Sequence, residues 1–133
     1  MERWAFFSSL LENAMRIRDL VVQPDAVPTY EPPGHTGTVN RRLVPPPGHP
    51  RGKLEVVLGV LQPGGQALMH THADLDQAIY VLEGGCRVES AGETAEMGSG
   101  QMVYLPAGTP HRVIATGDTA LRALVIYAPP LVR

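Results

Sequence analysis

A series of short apolar runs in the second part of the chain restricts the possible folds more than any other feature. After Gly52, seven runs of β-branched and aliphatic residues follow one another at close spacing, with turn residues between them. None has the length and period of a helix, so the runs indicate the strands of an antiparallel sandwich or barrel. The runs are KLEVVLGVL, QALMHTH, QAIYVLEG, CRVES, QMVYLP, HRVIAT and ALRALVIYA. We therefore predict an all-β body.

The segment before Gly52 has a different character. Apolar residues recur there at helical spacing, which predicts a short amphipathic helix before Pro24: Trp4, Phe7, Leu11, Met15 and Ile17. From Pro24 to Gly52, frequent proline and glycine favour extended backbone, and TVNRRLV in this stretch can form a strand. MRIRDLVVQPD also reads as a strand that enters a turn, which leaves Met15 open as an alternative start to Met1.

The length of 133 residues suits a single structural domain. Within it, we expect residues 1–52 to form the helix and a proline-rich arm that packs on the barrel or on a partner, and residues 53–133 to form the barrel. Trp4, Phe6 and Phe7 would otherwise expose an apolar patch. Because such patches usually mark a partner surface, we expect a homodimer.

Charge and cysteine content exclude several classes of partner. The 11 basic and 13 acidic residues are spread along the chain and give a formal net charge of −2, which attracts neither nucleic acid nor an anionic membrane. The N-terminal apolar patch is interrupted by serines and is too short to span a bilayer. The single cysteine, Cys86, excludes an internal disulfide and is more typical of a small buried apolar residue than of a nucleophile. We expect a cytoplasmic protein whose partner is a small-molecule substrate.

Three histidines and a glutamine can converge on one site. Because side chains alternate along a strand, four residues are expected to share a face: Gln66, Leu68, His70 and His72. Gln77 begins the next run after a short loop, and His111 follows the turn PAGTP. Imidazole suits divalent Zn, Ni, Cu or Fe, so these residues are candidate ligands of a metal ion.

The spacing of these residues resembles the two motifs of the cupin superfamily. One motif, G-x5-H-x-H-x4-E-x6-G, is fitted by Gly64, His70, His72, Gln77 and Gly84, with glutamine in the glutamate place. The other, G-x5-P-x-G-x2-H-x3-N, is fitted by Gly100, Pro106, Gly108 and His111, with Ala115 in the asparagine place. The resemblance implies a single small β-barrel of the jelly-roll (double-stranded β-helix) type, usually dimeric. It also implies one divalent metal ion (Zn, Ni, Mn, Fe or Cu) bound by His70, His72, Gln77 and His111.

Other polar residues near these motifs are expected to stay outside the site. Asp76 is one position out of phase with Gln77 and should face away on an extended strand. His35 and His49 lie in proline-rich sequence, and we expect them to be solvated or structural.

The resemblance does not fix a reaction, because one fold hosts many. An amide in place of a carboxylate leaves the ligand set neutral, which favours Lewis-acid chemistry such as that of an isomerase, cyclase or lyase. Among cupins, similar glutamine-bearing sets occur in enzymes that linearise sugar uronates and in aromatic polyketide cyclases. A dioxygenase that uses Fe, Cu or Ni and a non-catalytic small-molecule-binding cupin are the alternatives.

The general acid or base must come from elsewhere in the chain. By residue type the candidates are Tyr80, Tyr104 and Tyr127, although a role in the wall or in an interface is equally compatible with them. Arg41 or Arg42 can bind a substrate carboxylate if their strand lies at the barrel mouth, or can be solvated. The uronate enzymes have a carboxylate near the end of the C-terminal strand, where this chain has Val125.

Overall fold

The computed structural model describes residues 16–131. Two short 3-10 helices, Ile17–Leu20 and Pro24–Ala26, precede nine strands. The strands are β1 (Thr29–Tyr30), β2 (His35–Val44), β3 (Glu55–His70), β4 (Asp76–Glu83), β5 (Gly85–Ser90), β6 (Glu93–Gly98), β7 (Met102–Leu105), β8 (His111–Thr116) and β9 (Leu121–Ala128). The prediction of an all-β body is confirmed.

All strand pairs are antiparallel, and they form one nearly closed barrel. Hydrogen-bonded neighbours follow the order β6-β5-β8-β3-β9-β4-β7, while β2 pairs with β3 and β1 with β2. The first part of β3 pairs with β9 and its second part with β8. Two runs predicted as separate strands, KLEVVLGVL and QALMHTH, are therefore one strand of 16 residues. Strand β6 was not predicted.

The proline-rich arm contributes a strand to the barrel itself. Strand β2 pairs with β3 from His35 opposite Ala67 to Val44 opposite Val56. The Arg41 guanidinium donates hydrogen bonds to two carbonyl oxygens of the preceding segment, those of Pro24 and Val27, at 2.9 and 3.0 Å. These bonds hold the segment that precedes β1 against β2.

Most of the predicted N-terminal helix, together with Trp4, Phe6 and Phe7, falls outside the described residues. Where the sequence allowed a strand after Met15, the structure has the 3-10 helix Ile17–Leu20. No helix within residues 16–131 has the length and apolar character needed to cross a membrane.

The core consists of side chains that alternate toward the barrel interior. On β8, His111, Val113 and Ala115 are buried while the residues between them are half-buried. Cys86 is completely buried, and burial, with a smaller contribution from Glu96, raises the pKa of its thiol to about 11. The thiol is therefore protonated at neutral pH, which agrees with its predicted role as a small apolar residue.

Candidate metal centre

The three predicted histidines lie together at one end of the barrel. His70 ends β3, directly opposite His111 at the start of β8, and His72 follows two residues after β3. Their candidate ligand nitrogens all lie within 4.8 Å of one another. The ring centroids are 4.3 Å apart for His70 and His111 and 4.7 Å apart for His70 and His72. Three imidazoles at this separation can share one divalent ion.

A β-bulge, rather than simple alternation, directs His70 inward. The register against β8 shifts between Ala67 and His70, so that both of these residues face the interior. The prediction that Gln66 shares the face of His70 is wrong, because the extra residue in a bulge reverses the alternation, whereas Leu68 lines a pocket together with His70. Leu68 is exposed, and Gln66 accepts hydrogen bonds from the Arg112 guanidinium at 2.9 and 2.6 Å.

Backbone carbonyl groups orient two of the imidazole rings. Nδ1 of His70 donates to the Leu68 oxygen at 2.6 Å, and Nδ1 of His111 donates to the Thr109 oxygen at 2.9 Å. Since a carbonyl oxygen only accepts, the proton lies on Nδ1 and the lone pair on Nε2. Hydrogen bonds of this kind are typical of metal-binding histidines.

His111 is the most enclosed of the three histidines. Its exposed fraction is 2%, and its Nε2 has no hydrogen-bond partner among residues 16–131. Burial lowers the pKa of His111. The hydrogen bond to Thr109 partly raises this pKa again, and electrostatic repulsion from His70 lowers it further. The ring is therefore neutral at physiological pH, and the buried lone pair of its Nε2 can bind a metal ion.

Gln77 presents its side-chain oxygen to the same cavity. It is buried, and its Oε1 lacks a hydrogen-bond partner in the described part of the chain. Asp76 is exposed, and its Oδ1 accepts a hydrogen bond from the Ala107 amide at 3.0 Å, so it faces away as predicted. Leaving a buried acceptor unsatisfied costs about 1–3 kcal/mol. A divalent cation would satisfy both Gln77 Oε1 and His111 Nε2, so the donor set fits such an ion.

The site opens through two continuous pockets. The inner cavity, of about 50 Å³, holds Gln77, His70 and His111 above an apolar floor. The outer pocket, of about 390 Å³, is lined by Pro32, Pro33, Leu68, Met69 and Leu131. Four residues line both: His35, Asn40, His70 and Tyr127. No Asp, Glu, Lys or Arg from residues 16–131 lines either pocket.

His35 is a site residue that the sequence analysis missed. It begins β2 opposite Ala67, its ring centroid lies 6.4 Å from that of His70, and its Nδ1 is buried without a hydrogen-bond partner in the described residues. Burial, with a smaller contribution from His70, lowers the pKa of His35 to about 4. The expectation of a solvated residue is therefore wrong, while a structural role, the other expectation, is compatible with this position. Only the pairing of β2 with β3 would have indicated its position.

Two of the predicted acid–base candidates lie outside the cavity lining. Strand β4 buries Gln77, Ile79 and Val81, so Tyr80 between them faces outward. Tyr104, on β7, is 62% exposed. Tyr127 differs from both, because it is buried, lines both pockets and lies 5.7 Å from the His72 ring in an edge-to-face arrangement.

Arg42, the predicted substrate clamp, is also placed away from the histidines. Its Nε donates to Oε2 of Glu55 at 2.7 Å, and the buried Glu55 accepts a hydrogen bond from the Leu131 amide through its other oxygen at 3.0 Å. The guanidinium lies 5.7 Å from the centre of the Tyr30 ring. Arg42 therefore ties β2 to the C-terminal segment that borders the outer pocket.

The barrel and its histidine-lined cavity define a small jelly-roll protein with a candidate metal centre. Residues 57–127, more than half of the chain, match the family model described as Cupin domain. The chain therefore belongs to the cupin family, as its motifs predicted.

The chain is similar to relatives in sequence and to a solved structure in fold. An uncharacterized protein of Methanocaldococcus jannaschii is 28% identical over 94 residues, which are 71% of this chain and 75% of that protein. Polyketide synthase CurC of Streptomyces cyaneus is 31% identical over 74 residues, 56% of this chain and 47% of that protein. The structure of polyketide cyclase RemF from Streptomyces resistomycificus superposes with a TM-score of 0.71 at 26% identity, covering 83% of this chain and 79% of that one.

Proposed function

We propose that this protein is a metal-dependent enzyme that carries out non-redox carbonyl chemistry, a cyclisation or isomerisation, on a neutral oxygenated small molecule. One observation carries the proposal: three imidazoles and the Gln77 amide oxygen line two adjoining pockets whose described lining has no Asp, Glu, Lys or Arg side chain. His70, His72, His111 and Gln77 are the residues that would bind the ion.

A divalent ion bound there supplies Lewis-acid chemistry, the polarisation of a substrate carbonyl. The residues of the chain favour this chemistry over oxygen activation, because the iron sites that usually activate oxygen carry a carboxylate ligand. Gln77 stands in that position and is neutral. The ligand set therefore cancels none of the positive charge of the ion.

The cavity walls favour an uncharged substrate. A uronate or keto acid carries a carboxylate, and a protein normally binds a carboxylate with arginine or lysine. The residues described around both pockets offer neither, and Arg42 is held by Glu55. The apolar lining, with Leu61, Ile79 and Val125, suits a carbon skeleton with few polar groups and excludes water from it.

The similarity to RemF and CurC supports cyclisation within this class. RemF is a polyketide cyclase, and CurC belongs to polyketide synthesis by its name. Polyketones have the neutral, apolar and carbonyl-rich character that the cavity of this chain favours. We therefore place this chain among cyclases or isomerases of ketonic or phenolic compounds rather than among enzymes of uronates.

The test begins with metal analysis of the purified protein, followed by turnover assays with neutral diketones, phenolic ketones and uronates in the presence and absence of oxygen. We expect one divalent ion per chain and oxygen-independent conversion of a neutral ketone. Oxygen consumed in step with substrate would contradict the proposal and indicate a dioxygenase. Metal binding without turnover of any compound would favour a binding protein.

We also propose a homodimer in the cytoplasm. The outer sheet face presents Met102 and Tyr104 with exposed fractions of 55% and 62%, and exposed apolar faces of this kind favour a second copy. The cytoplasmic assignment rests on the single buried thiol of Cys86, which suits a reducing compartment.

A further inference from the structure

His35 occupies a distinctive place between the two pockets. It lines both the inner cavity, with His70, Gln77 and His111, and the outer pocket formed by the Pro32–Gly34 turn. A molecule that extends from the outer pocket into the inner cavity lies against the residues that line both pockets, and His35 is one of them.

The ring of His35 does not belong to the ligand cluster. The three clustered histidines have ligand atoms within 4.8 Å of one another, and His35 is not a member of that group. Its buried Nδ1 has no hydrogen-bond partner within residues 16–131. A buried ring nitrogen left unsatisfied is unfavourable, so its position beside the cavity indicates a partner that arrives with the bound molecule.

We propose that His35 is a substrate-contacting residue, whose Nδ1 forms a hydrogen bond with a hydroxyl or enol group of the neutral molecule bound at the centre. This inference rests on the proposed function for the location and neutrality of the ligand. A hydroxyl group both donates and accepts, so it matches Nδ1 in either tautomer of the imidazole. An ether oxygen only accepts and a hydrocarbon does neither, so neither group matches both tautomers.

Three neighbouring features select the same kind of ligand. Thr38 and Asn40, which follow His35 on β2, are buried polar residues that line the inner cavity. Tyr127 supplies an aromatic wall to both pockets. Where the two pockets meet, the aromatic side chain of Tyr127 therefore lies near the polar side chains of β2. This combination fits a flat hydroxylated compound whose oxygen points toward β2.

The experiment uses the full chain loaded with zinc and two probes, 2-naphthol and 2-methoxynaphthalene, which differ in the hydroxyl hydrogen. Affinities are measured by fluorescence titration for the wild type, His35→Phe, His35→Leu and His35→Asn. His49→Phe is the matched control, because His49 also lies in proline-rich sequence but lines a different pocket. Zinc content and thermal unfolding are measured on the same preparations.

We expect the wild type to prefer 2-naphthol. His35→Phe and His35→Leu should weaken 2-naphthol binding about tenfold, as expected for one net hydrogen bond, and should remove the preference. His35→Asn places an amide atom near the position of Nδ1 and should restore most of the affinity. Zinc content should stay at one ion per chain in every variant, and His49→Phe should match the wild type.

Three results would overturn the assignment. The first is an unchanged 2-naphthol affinity in both apolar variants. The second is loss of zinc from those variants, which would make His35 a metal ligand. The third is a wild type that binds neither probe. Failure of the proposed function is a separate result. A wild type that takes up no zinc would contradict the metal-dependent enzyme, while the 2-naphthol comparison would still test His35.

Discussion

Nδ1 of His70 donates a hydrogen bond to the carbonyl oxygen of Leu68, two residues earlier in the chain. His111 has the same relationship to Thr109. Each bond closes over a single intervening residue, so the local backbone fixes the ring and its tautomer before any ion arrives. The centre is therefore built to offer Nε2 lone pairs at low cost in side-chain entropy.

His70→Ala should remove the metal and leave the barrel folded. The strand hydrogen bonds of β3 are made by backbone, whereas the imidazole supplies one of the ligands. We expect metal affinity to fall by more than about a hundredfold, measured by competition with a chelator, since even the loss of residues that support ligands costs 10–100-fold. His49→Ala is the control and should bind metal normally. Stoichiometric metal in His70→Ala would show that the histidine is not a ligand.

Arg42→Leu should destabilise the protein without changing metal content. The change leaves the carboxylate of Glu55, which is 1% exposed, without its guanidinium partner. Because Arg42 itself is partly exposed, we expect a cost of about 2 kcal/mol, below the roughly 3–5 kcal/mol for breaking a fully buried ion pair. Chemical denaturation measures it. The control is Arg122→Leu, whose exposed pair with Glu83 spans 3.9 Å and should cost less than about 1 kcal/mol. Equal losses in the two variants would contradict a structural role for Arg42.

Gly84→Ala should cost more than Gly100→Ala, although both glycines have positive φ. The φ angles are +79° and +85°, and an alanine at either position pays about 1 kcal/mol for the left-handed conformation. At Gly84 a Cβ would also lie 2.6 Å from the carbonyl oxygen of Ala120, whereas at Gly100 it would meet nothing within 4 Å. We expect an additional loss of about 2 kcal/mol for Gly84→Ala in denaturant unfolding. Equal losses of stability in the two variants would mean that the backbone near Gly84 shifts to make room for the added Cβ.

The sequence predicted the residues of the centre better than the path of the chain around it. Motif spacing was enough to bring His70, His72 and His111 together, because each lies at a strand end or two residues beyond it. The bulge after Ala67 was not predictable from alternation, since an extra residue leaves no local signature in an apolar run. His35 was missed because it reaches the cavity only through long-range pairing of β2 with β3.

Strand β6 was missed for a different reason. Its first four residues, Glu93 to Glu96, are exposed, and only Met97 is buried. It therefore lacks the apolar alternation that identifies a half-buried strand. The strand exists because its backbone pairs with β5 from Gly85 opposite Gly98 to Ser90 opposite Glu93.

Tyr104→Glu should weaken the proposed homodimer. Tyr104 is 62% exposed on the outer face of β7, two residues from the exposed Met102. If this face meets a second copy, a carboxylate there must be desolvated on association, and the dissociation constant should rise at least about tenfold. Light scattering across a dilution series measures it. Glu93→Gln, on the exposed part of β6, is the control. A dimer unaffected by Tyr104→Glu would exclude this face as the interface.

Gln77→Glu tests the neutral ligand set. In the metal-free protein, the change introduces a buried carboxylate beside His111, whose pKa is lowered by burial, so stability should fall. With zinc bound, the anionic oxygen is the better ligand, so metal affinity and the gain in unfolding temperature on zinc addition should both increase. Gln66→Glu is the matched control, because Gln66 lies outside the cavity against Arg112 and its substitution should leave zinc binding unchanged.

The same variant separates the two catalytic classes. Charge donated by a carboxylate reduces the polarising power of the ion, so a non-redox reaction should slow by about tenfold or more while zinc is retained. Metal content and rate are to be measured on one preparation. Tighter zinc binding with a faster reaction would contradict the proposed role of the neutral amide, and a rise in oxygen consumption would favour a dioxygenase. Loss of zinc from Gln77→Glu would mean that the pocket uses the NH2 group of Gln77 as a donor, and that its oxygen is not a ligand.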